Sequence, residues 1–280
     1  MKESDVRIAV IGLTGDSVFM AVPRFHVGGE TVHATGLHRE LGGKGFNQAV
    51  AAARQGARVS FLTAVGSEDV ERVRGFLAGE GIEGHVIGKA QPSAHAAILT
   101  DGTGETRVTV YPGARLDVAD VDRFAEAVRG ADFLIIGNEV PEEVNIAAAE
   151  IAAAGGTKVI LNPAPSRALS PRLVRNVRLF TPNEFEESAL GEVDGEVVVT
   201  LGARGCRIRS TGEVVPAPRA TAVDSTGAGD TFNGVLAVRL ACGDVLADAC
   251  RAANAAAAKS VAVRYVLPSI PYFVRNALNS

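Results

Sequence analysis

The stretch DSTGAGDTFNG, residues 224–234, places glycines, hydroxyls and two carboxylates directly before an apolar helical run. Gly227, Ala228 and Gly229 have little or no side chain, so their backbone N–H groups can approach a ligand closely. The N-terminus of the following helix adds partial positive charge, which predicts an anion site suited to phosphate. Asp230 would repel a phosphate unless a hydroxyl lay between them, so we expect it to accept a hydroxyl proton during phosphoryl transfer. For this loop alone, an Asp that caps a helix in a glycine turn is the alternative interpretation.

A second glycine-rich stretch, LGGKGFNQAVAAARQGA at residues 41–57, has the same organisation. Two glycines precede a helical pattern over 44–56, and Lys44 and Asn47 lie about one helical turn apart, so both can face one ligand. A glycine-rich entry into a packed helix is the alternative for either stretch alone. Two such loops in one chain favour a binding site.

Other phosphate-binding motifs are absent or in the wrong context. The sequence has no G-x-x-x-x-G-K-[ST], which excludes a P-loop enzyme. GEGIEG at 79–84 matches G-x-G-x-x-G, but it follows a helix instead of a strand. We therefore interpret it as a helix end and a turn.

The elements that position these loops alternate between apolar strands and helices, which predicts an α/β fold with a doubly wound, mostly parallel sheet. Strands are predicted at 7–12, 59–65, 132–137, 158–164, 178–182 and 196–202, the last followed by a hairpin. Helices are predicted at 44–56, 67–81 with Ser67 as N-cap, 141–156, 168–176, 183–190, 228–241 and 244–263. Residues 17–37 and 94–111 alternate with period two around turn signals, which predicts a small antiparallel sheet that serves as a lid.

The length of 280 residues and the composition indicate one large globular domain, or one domain with a small appendage. The net charge of −4 argues against a nucleic-acid or acidic-membrane partner. No apolar run reaches membrane-spanning length, and the run at 7–12 is too short for a signal peptide. The three cysteines fit neither a metal site nor a closed disulfide set. We expect a reduced, cytoplasmic protein.

These motifs together identify the sequence as a member of the ribokinase-like sugar kinases, the PfkB family. GGKGFNQAVAAARQGA resembles the N-terminal signature of the family, and DSTGAGDTFNG resembles the C-terminal one. Between them, LNPAPSR (161–167), TPNEFE (181–186) and VTLGARG (199–205) resemble family segments in order and spacing. The resemblance extends from about residue 6 to residue 270.

The resemblance implies ATP-dependent phosphorylation of a sugar or nucleoside hydroxymethyl group, with Asp230 as base and residues 227–229 as anion hole. The implied sugar contacts are Thr14, Asp16, Gly43, Lys44, Asn47 and Glu139. The implied nucleotide contacts are Asn183, Thr200, Gly202, Gly205 and Asn254, with Glu186 for hydrated Mg²⁺ and Asp224 for a monovalent cation. Acids, amides and glycine N–H groups also suit a neutral polyol, whose hydroxyls both donate and accept. Taken singly, Asp16 would be a turn residue and Glu139 a solvated loop acid.

Three departures from the family pattern concern the sugar and nucleotide sites. Thr14 stands where the family has asparagine, which changes one sugar contact. Phe46 replaces a small residue and either packs in the core or narrows the sugar pocket. The link GEVDG at 191–195 is short, so we expect a barer nucleotide side of the sheet.

A fourth departure concerns the potassium ion that the family binds beside the anion hole. RYVLPS at 264–269 is shorter than the family pattern and lacks its glycine. Tyr265, Val266 and Leu267 reach the required backbone angles only at a cost. We expect weak or absent activation by potassium, with Asp224 still ordering the 225–229 loop.

Three hypotheses compete with a kinase for ribose or a related sugar. A nucleoside kinase of the same family is the nearest. A phosphosugar kinase would need cationic lid residues, for which Arg24 and Arg107 are candidates unless they are solvated strand positions. A non-catalytic sugar-binding protein predicts damage at Asp230 or residues 227–229, and both are intact. Exposed lid edges also predict a homodimer joined by its lids.

Overall fold

Strands and helices alternate along the residues that the computed structural model describes, 2–273. The strands are β1 (Arg7–Ile11), β2 (Gly15–Ala21), β3 (Gly36–Gly42), β4 (Arg58–Gly66), β5 (Ile82–Lys89), β6 (Ala94–Thr100), β7 (Thr106–Tyr111), β8 (Phe133–Gly137), β9 (Lys158–Asn162), β10 (Leu179–Phe180), β11 (Glu196–Thr200), β12 (Cys206–Ile208) and β13 (Val214–Val215). The helices are α1 (Lys44–Arg54), α2 (Val70–Gly79), α3 (Val118–Asp122), α4 (Ala125–Arg129), α5 (Glu142–Gly155), α6 (Pro171–Val174), α7 (Glu184–Leu190), α8 (Ala228–Cys242), α9 (Leu246–Ser260) and α10 (Val266–Ser269).

The main sheet has nine strands in the order β13-β12-β11-β10-β9-β8-β1-β4-β5. Pairing is parallel from β11 through to β5. The hairpin β12–β13 is added antiparallel at one edge. The predicted doubly wound, mostly parallel sheet with a terminal hairpin is therefore confirmed.

Alternation along each central strand divides the core into two layers. In β1, Ile8 and Val10 belong to one buried cluster, which also contains side chains of α1, α8 and α9. Ala9 and Ile11 belong to the other, with side chains of α4 and α5. Successive strand residues point to opposite faces, so a strand buried on both faces reads as a continuous apolar run.

The carboxyl ends of the parallel strands bring the polar motif residues to one edge of the sheet. β8 ends at Gly137, two residues before Glu139, and β11 ends at Thr200 itself. An isolated bridge joins Asn183 to Thr200 beyond the end of β10. Ligands bind at this edge in open α/β sheets, because loops of several strands converge there.

The small sheet has the order β3-β2-β6-β7. β2–β3 and β6–β7 are antiparallel, as predicted, but the central pair β2–β6 is parallel. The two arms are separated by α1, β4, α2 and β5, so no hairpin forces their central strands to run in opposite directions. The predicted bounds 17–37 were also wrong: β2 begins at Gly15, and β3 begins only at Gly36, after an irregular segment that contains Pro23, Gly28 and Gly29.

The predicted helix over 67–81 begins differently from the expectation. Ser67–Asp69 forms a 3-10 turn, and α2 begins at Val70. The Ser67 hydroxyl donates to the Lys89 carbonyl (3.0 Å) and caps no helix, so its prediction as N-cap was wrong. No helix within residues 2–273 is long and apolar enough to cross a membrane.

Candidate active site

Two cavities meet at Asp230 at the carboxyl edge of the main sheet. The first, of about 260 Å³, lies under the small sheet, and the second, of about 550 Å³, lies beside α7 and β11. Asp230, Gly227 and Lys44 line both. A group at this junction can contact two ligands at once, as a transfer reaction requires.

Asp230 lies in the first turn of α8, and only 6 % of it is exposed. Asn47 Nδ2 donates to its Oδ2 (2.8 Å), and Gln48 Nε2 donates to its Oδ1 (3.2 Å). Burial raises the pKa of Asp230, while Lys44 and the two amide donors oppose that shift. The carboxylate is therefore oriented by α1 and moved towards the proton affinity that a general base needs near neutral pH.

The glycine-rich loop is held in place on both sides of its turn. Gly227 adopts a left-handed conformation (φ 75°), and a Cβ there would lie 2.5 Å from Val266 Cγ1. Thr226 N donates to Asp224 Oδ1 and Tyr265 N donates to Asp224 Oδ2, each at 2.9 Å. Asp224 thus ties the loop before α8 to the turn after α9.

The first cavity collects most of the residues predicted to contact a sugar. Asp16, Gly43, Lys44, Asn47 and Glu139 line it. The carbonyl oxygen Oδ1 of Asn47 is buried and has no partner among the described residues, so it can accept a bond from a ligand hydroxyl. Hydrogen-bond donors and acceptors therefore both line this cavity.

Thr14 is the exception among the predicted sugar contacts. It is completely buried, and neither cavity is lined by it. Its hydroxyl finds no hydrogen-bond partner in the described part of the chain. Thr14 therefore lies behind the surface of the first cavity in this structure, and its contact with a sugar stays a prediction.

Glu139 joins the end of β8 to the start of α1. Its Oε2 accepts a hydrogen bond from Lys44 N (2.7 Å). Burial, assisted by the charge of Asp230, raises the pKa of Glu139 to about 7. Asp230 in turn raises the pKa of Lys44. The junction thus holds two acids and one lysine whose proton affinities are linked.

Asp16 is held by a residue that the sequence motifs did not reveal. Arg72, from α2, donates to both carboxylate oxygens of Asp16 (2.9 and 3.1 Å) and also to Asp69 (2.7 Å). His95 Nε2 lies 3.6 Å from Asp16 Oδ2. The Asp16 carboxylate is thereby fixed by Arg72 of α2, with His95 of the small sheet beside it.

The second cavity contains most of the residues predicted for the nucleotide. Asn183, Glu186, Thr200 and Gly202 line it. Asn183 and Glu186 form a reciprocal capping box at the start of α7, with Glu186 N donating to Asn183 Oδ1 (2.8 Å) and Asn183 N donating to Glu186 Oε2 (2.9 Å). Asn233, which was not predicted, also lines this cavity.

Gly205 and Asn254 do not line the second cavity. Gly205 (φ 97°) is packed so tightly that a Cβ would lie 2.1 Å from the Val215 carbonyl oxygen. Asn254 is buried and donates to that same oxygen (2.9 Å) and to Cys206 Sγ (3.5 Å). The two residues stabilise the packing of α9 on the β12–β13 hairpin, and their contact with a nucleotide stays a prediction.

Two alternatives from the sequence are decided by packing. Phe46 is completely buried and packs against Phe61 and Phe76, so it belongs to the core and does not narrow the cavity. Arg24 pairs with Glu30, and Arg107 pairs with Glu105 and lies over Phe25. Both arginines are solvated lid residues without a free charge directed at the cavity.

Gln48 was not among the predicted site residues either, although its spacing in the sequence indicated it. It lies four residues after Lys44 in α1, and therefore on the same helix face. Its amide connects Asp230 to Asn162 Oδ1 (3.2 and 3.3 Å). Arg72 offered no comparable signal, since its partner Asp16 is distant in sequence.

The donor set of the second cavity fits Mg²⁺ held mainly by phosphate and water. The acids that line this cavity are Glu184, Glu186 and Asp230. Within residues 2–273, no group of three His, Cys, Asp or Glu side chains could form a cage. Mg²⁺ beside a nucleotide needs only one or two protein carboxylates, because phosphate oxygens and waters complete its shell.

Comparison with known proteins agrees with this geometry. Residues 6–271 match the pfkB family carbohydrate kinase profile. Ribokinase from Staphylococcus aureus (strain COL) is 32% identical over 293 residues, covering 95% of this chain and 96% of that protein. The crystal structure of ribokinase from Thermotoga maritima superposes with a TM-score of 0.84 at 29% identity (95% and 96% covered). The structure of Arabidopsis thaliana ribokinase complexed with ribose and ATP gives 0.83 at 26% identity, with the same coverage. The predicted ribokinase-like fold is confirmed, and the chain belongs to the pfkB family of carbohydrate kinases.

Proposed function

We propose that this protein transfers the γ-phosphoryl group of ATP to a hydroxymethyl group of a ribose-like sugar. The observation that carries the proposal is the buried carboxylate of Asp230 at the junction of two cavities. One cavity has the acids and amides that a polyol needs, and the other has the helix start and hydroxyls that a nucleotide needs. The similarity to ribokinases, one of them complexed with ribose and ATP, supports this assignment of the two cavities.

In the proposed reaction, Asp230 accepts the proton of the sugar hydroxyl. The hydroxyl oxygen forms a bond to the γ-phosphorus, the bond between that phosphorus and the bridging oxygen breaks, and ADP leaves with the electron pair. Backbone N–H groups of Gly227, Ala228 and Gly229 stabilise charge on the transferring group, assisted by the N-terminus of α8. Lys44 lines both cavities and adds positive charge at the same place.

On the sugar side, Asp16, Gly43, Asn47 and Glu139 would bind the hydroxyls. On the nucleotide side, Asn183, Thr200 and Gly202 would contact the nucleotide, and Glu186 would hold Mg²⁺ through water. When bound, Mg²⁺ neutralises phosphate charge and orients the γ-phosphoryl group. All of these residues except Gly43 and Gly202 have a polar side chain, and each lines its cavity.

We further propose that potassium activates the enzyme weakly or not at all. Both oxygens of Asp224 already accept backbone N–H groups, from Thr226 and Tyr265. Tyr265 is the only non-glycine residue with a positive φ (67°) within the described residues, so the turn beside the loop is ordered without glycine. A carboxylate already engaged in this way is a weaker ligand for an additional cation.

We also propose a single domain over 1–280, with the small sheet as lid, that works in the cytoplasm, where ATP is available. Residues 1 and 274–280 lie outside the described residues. A homodimer would form through the lid edges β3 and β7, each of which pairs on one side only.

A nucleoside is the second candidate substrate. The observation that favours it is an apolar wall of the first cavity, formed by Phe19, Ile98, Val108 and Val110 from the lid. Such a surface can cover a base or, equally, exclude water from a free sugar.

The test is ADP release by the purified protein with ATP, Mg²⁺ and a panel of pentoses, hexoses and nucleosides. The proposal expects sugar-dependent ADP release, greatest with ribose or a close relative. Release with nucleosides only would establish the second candidate, and the absence of release with every compound would contradict both.

A further inference from the structure

We infer that Glu40 is a positioning residue that couples the lid to the anion loop. The inference rests on the proposed function for its kinetic readout. Glu40 belongs to the lid strand β3, yet its side chain is only 5 % exposed. A buried carboxylate needs strong hydrogen-bond partners, and the two backbone donors to Glu40 lie outside the lid.

The partners of Glu40 are the first amides of α10, the single turn that follows α9. Val266 N donates to Oε1 (2.8 Å), and Leu267 N donates to Oε2 (3.3 Å). His38, from the same strand, lies 3.2 Å from Oε2 through Nε2 and stacks on the ring of Tyr265 at 3.7 Å. The lid strand β3 thus contacts this turn through both carboxylate oxygens of Glu40 and through the ring of His38.

The opposite end of the turn is fixed to the main body of the protein. Arg54 Nη1 donates to the carbonyls of Leu267 (2.6 Å) and Ile270 (3.0 Å). Arg54 is itself held by Glu80, to which its Nε donates (2.9 Å). The turn therefore has two charged attachments, one to the rigid α1 and one to the lid.

The turn transmits its position to the anion loop through Val266. The Val266 side chain is packed against Gly227, as the distance of 2.5 Å between its Cγ1 and a Cβ built at Gly227 shows. Tyr265 N is bound to Asp224, which also holds Thr226. A shift of the turn would therefore move the loop on both sides of Gly227.

The direct alternative is that Glu40 binds substrate, since it lines the first cavity. Its oxygens, however, are already occupied by the two amides and by His38. A positioning role predicts loss of turnover with little change in KM, whereas a substrate contact predicts the opposite.

The first variant is Glu40→Gln, whose amide oxygen can replace only one of the two acceptors. Glu30→Gln is the matched control, because Glu30 is a lid carboxylate that accepts a backbone N–H from Val27 (3.1 Å) and has an arginine partner. We expect Glu40→Gln to lower kcat about tenfold, the rate equivalent of one buried hydrogen bond, with KM for sugar and ATP changed less than about threefold. Glu30→Gln should match the wild type.

The second variant, Val266→Ala, removes the contact with Gly227 and leaves Glu40 intact. It should lower kcat by itself, and the double variant should be no slower than Glu40→Gln, because both changes interrupt one link. Independent, multiplicative effects would overturn the inference. If Glu40→Gln fails to fold, Val266→Ala carries the test alone, and an unchanged kcat then refutes the link.

Amide hydrogen exchange of residues 224–229 gives a readout that needs no substrate. We expect about tenfold faster exchange in Glu40→Gln and in Val266→Ala, but not in Glu30→Gln. Protection like that of the wild type, or a change in KM alone, would contradict the positioning role. If the wild type phosphorylates no sugar, the proposed function fails, and the exchange measurement still decides the role of Glu40.

Discussion

The proton affinity of Glu139 makes stability depend on pH in a way that can be calculated. The pKa of Glu139 is raised from 4.5 to about 7, first by burial and then by the charge of Asp230. In the unfolded chain the carboxyl loses its proton near 4.5, whereas the folded chain retains it to about 7. The folded state therefore binds the extra proton in this window, and stability falls as pH rises through it.

The size of the effect follows from the difference between the two values. One pKa unit corresponds to about 1.4 kcal/mol, so the change from 4.5 to about 7 corresponds to about 3 kcal/mol. The variant Glu139→Gln stays neutral at every pH and keeps an oxygen for Lys44 N. The free energy of unfolding of the variant, relative to that of the wild type, should rise by about 3 kcal/mol between about pH 4 and about pH 8.

Urea unfolding of both proteins without ligands, at steps of pH, measures this difference. Glu126→Gln serves as control, because Glu126 is an exposed acid paired with Arg129, and its difference should stay nearly constant. A difference for Glu139→Gln that is equally flat would refute the reasoning, since Glu139 would then ionise in the folded chain as it does in the unfolded one.

The remaining predictions concern the loop, the cation and the lid. Gly227→Ala should lose roughly 1–2 kcal/mol of stability, because alanine disfavours the left-handed backbone of Gly227, and it should also lose turnover, because the new Cβ displaces Val266. Urea unfolding measures the stability and kcat measures the turnover, and normal turnover would contradict the packing argument. Activity at constant ionic strength should stay nearly constant as potassium replaces sodium, and a strong saturable rise would show that Asp224 still binds the ion. Sedimentation should detect a dimer, which substitution of Val108 by lysine on the exposed β7 should weaken; a monomer at all concentrations would rule out pairing through the lid.

Much of the fold could be predicted because the central strands are buried on both faces. Short apolar runs such as that of β1, which alternate with helical patterns, are typical of interior strands, and glycines such as Gly56 end the helices between them. The bounds of β2 and β3 could not be predicted, because period-two alternation continues into an irregular segment. The prediction of Ser67 as N-cap of α2 was wrong because its hydroxyl has a competing partner, the Lys89 carbonyl, that only the tertiary structure provides.

Site residues could be predicted where a sequence motif fixes the local backbone. They could not be predicted where tertiary packing determines the position of the side chain. Asp230 and Asn47 follow from glycine-rich helix starts, which present their side chains to one edge of the sheet. Thr14 and Asn254 stand at positions that the family resemblance assigns to ligand contacts, but both side chains are buried and line neither cavity. Arg72 reaches Asp16 across 56 residues, and no local pattern encodes such a contact.

The central claim is that Asp230 acts as base at the junction of the two cavities, and the turnover of Asp230→Asn tests it most directly. Asn keeps the shape of the side chain but removes the proton acceptor. With the best sugar from the panel, kcat should fall by roughly 10²–10⁴-fold, with KM changed far less. Asp248→Asn, an exposed acid paired with Arg251 on α9, should keep full activity, and thermal unfolding should show that both variants are folded. A folded Asp230→Asn enzyme with near-normal kcat would contradict the account.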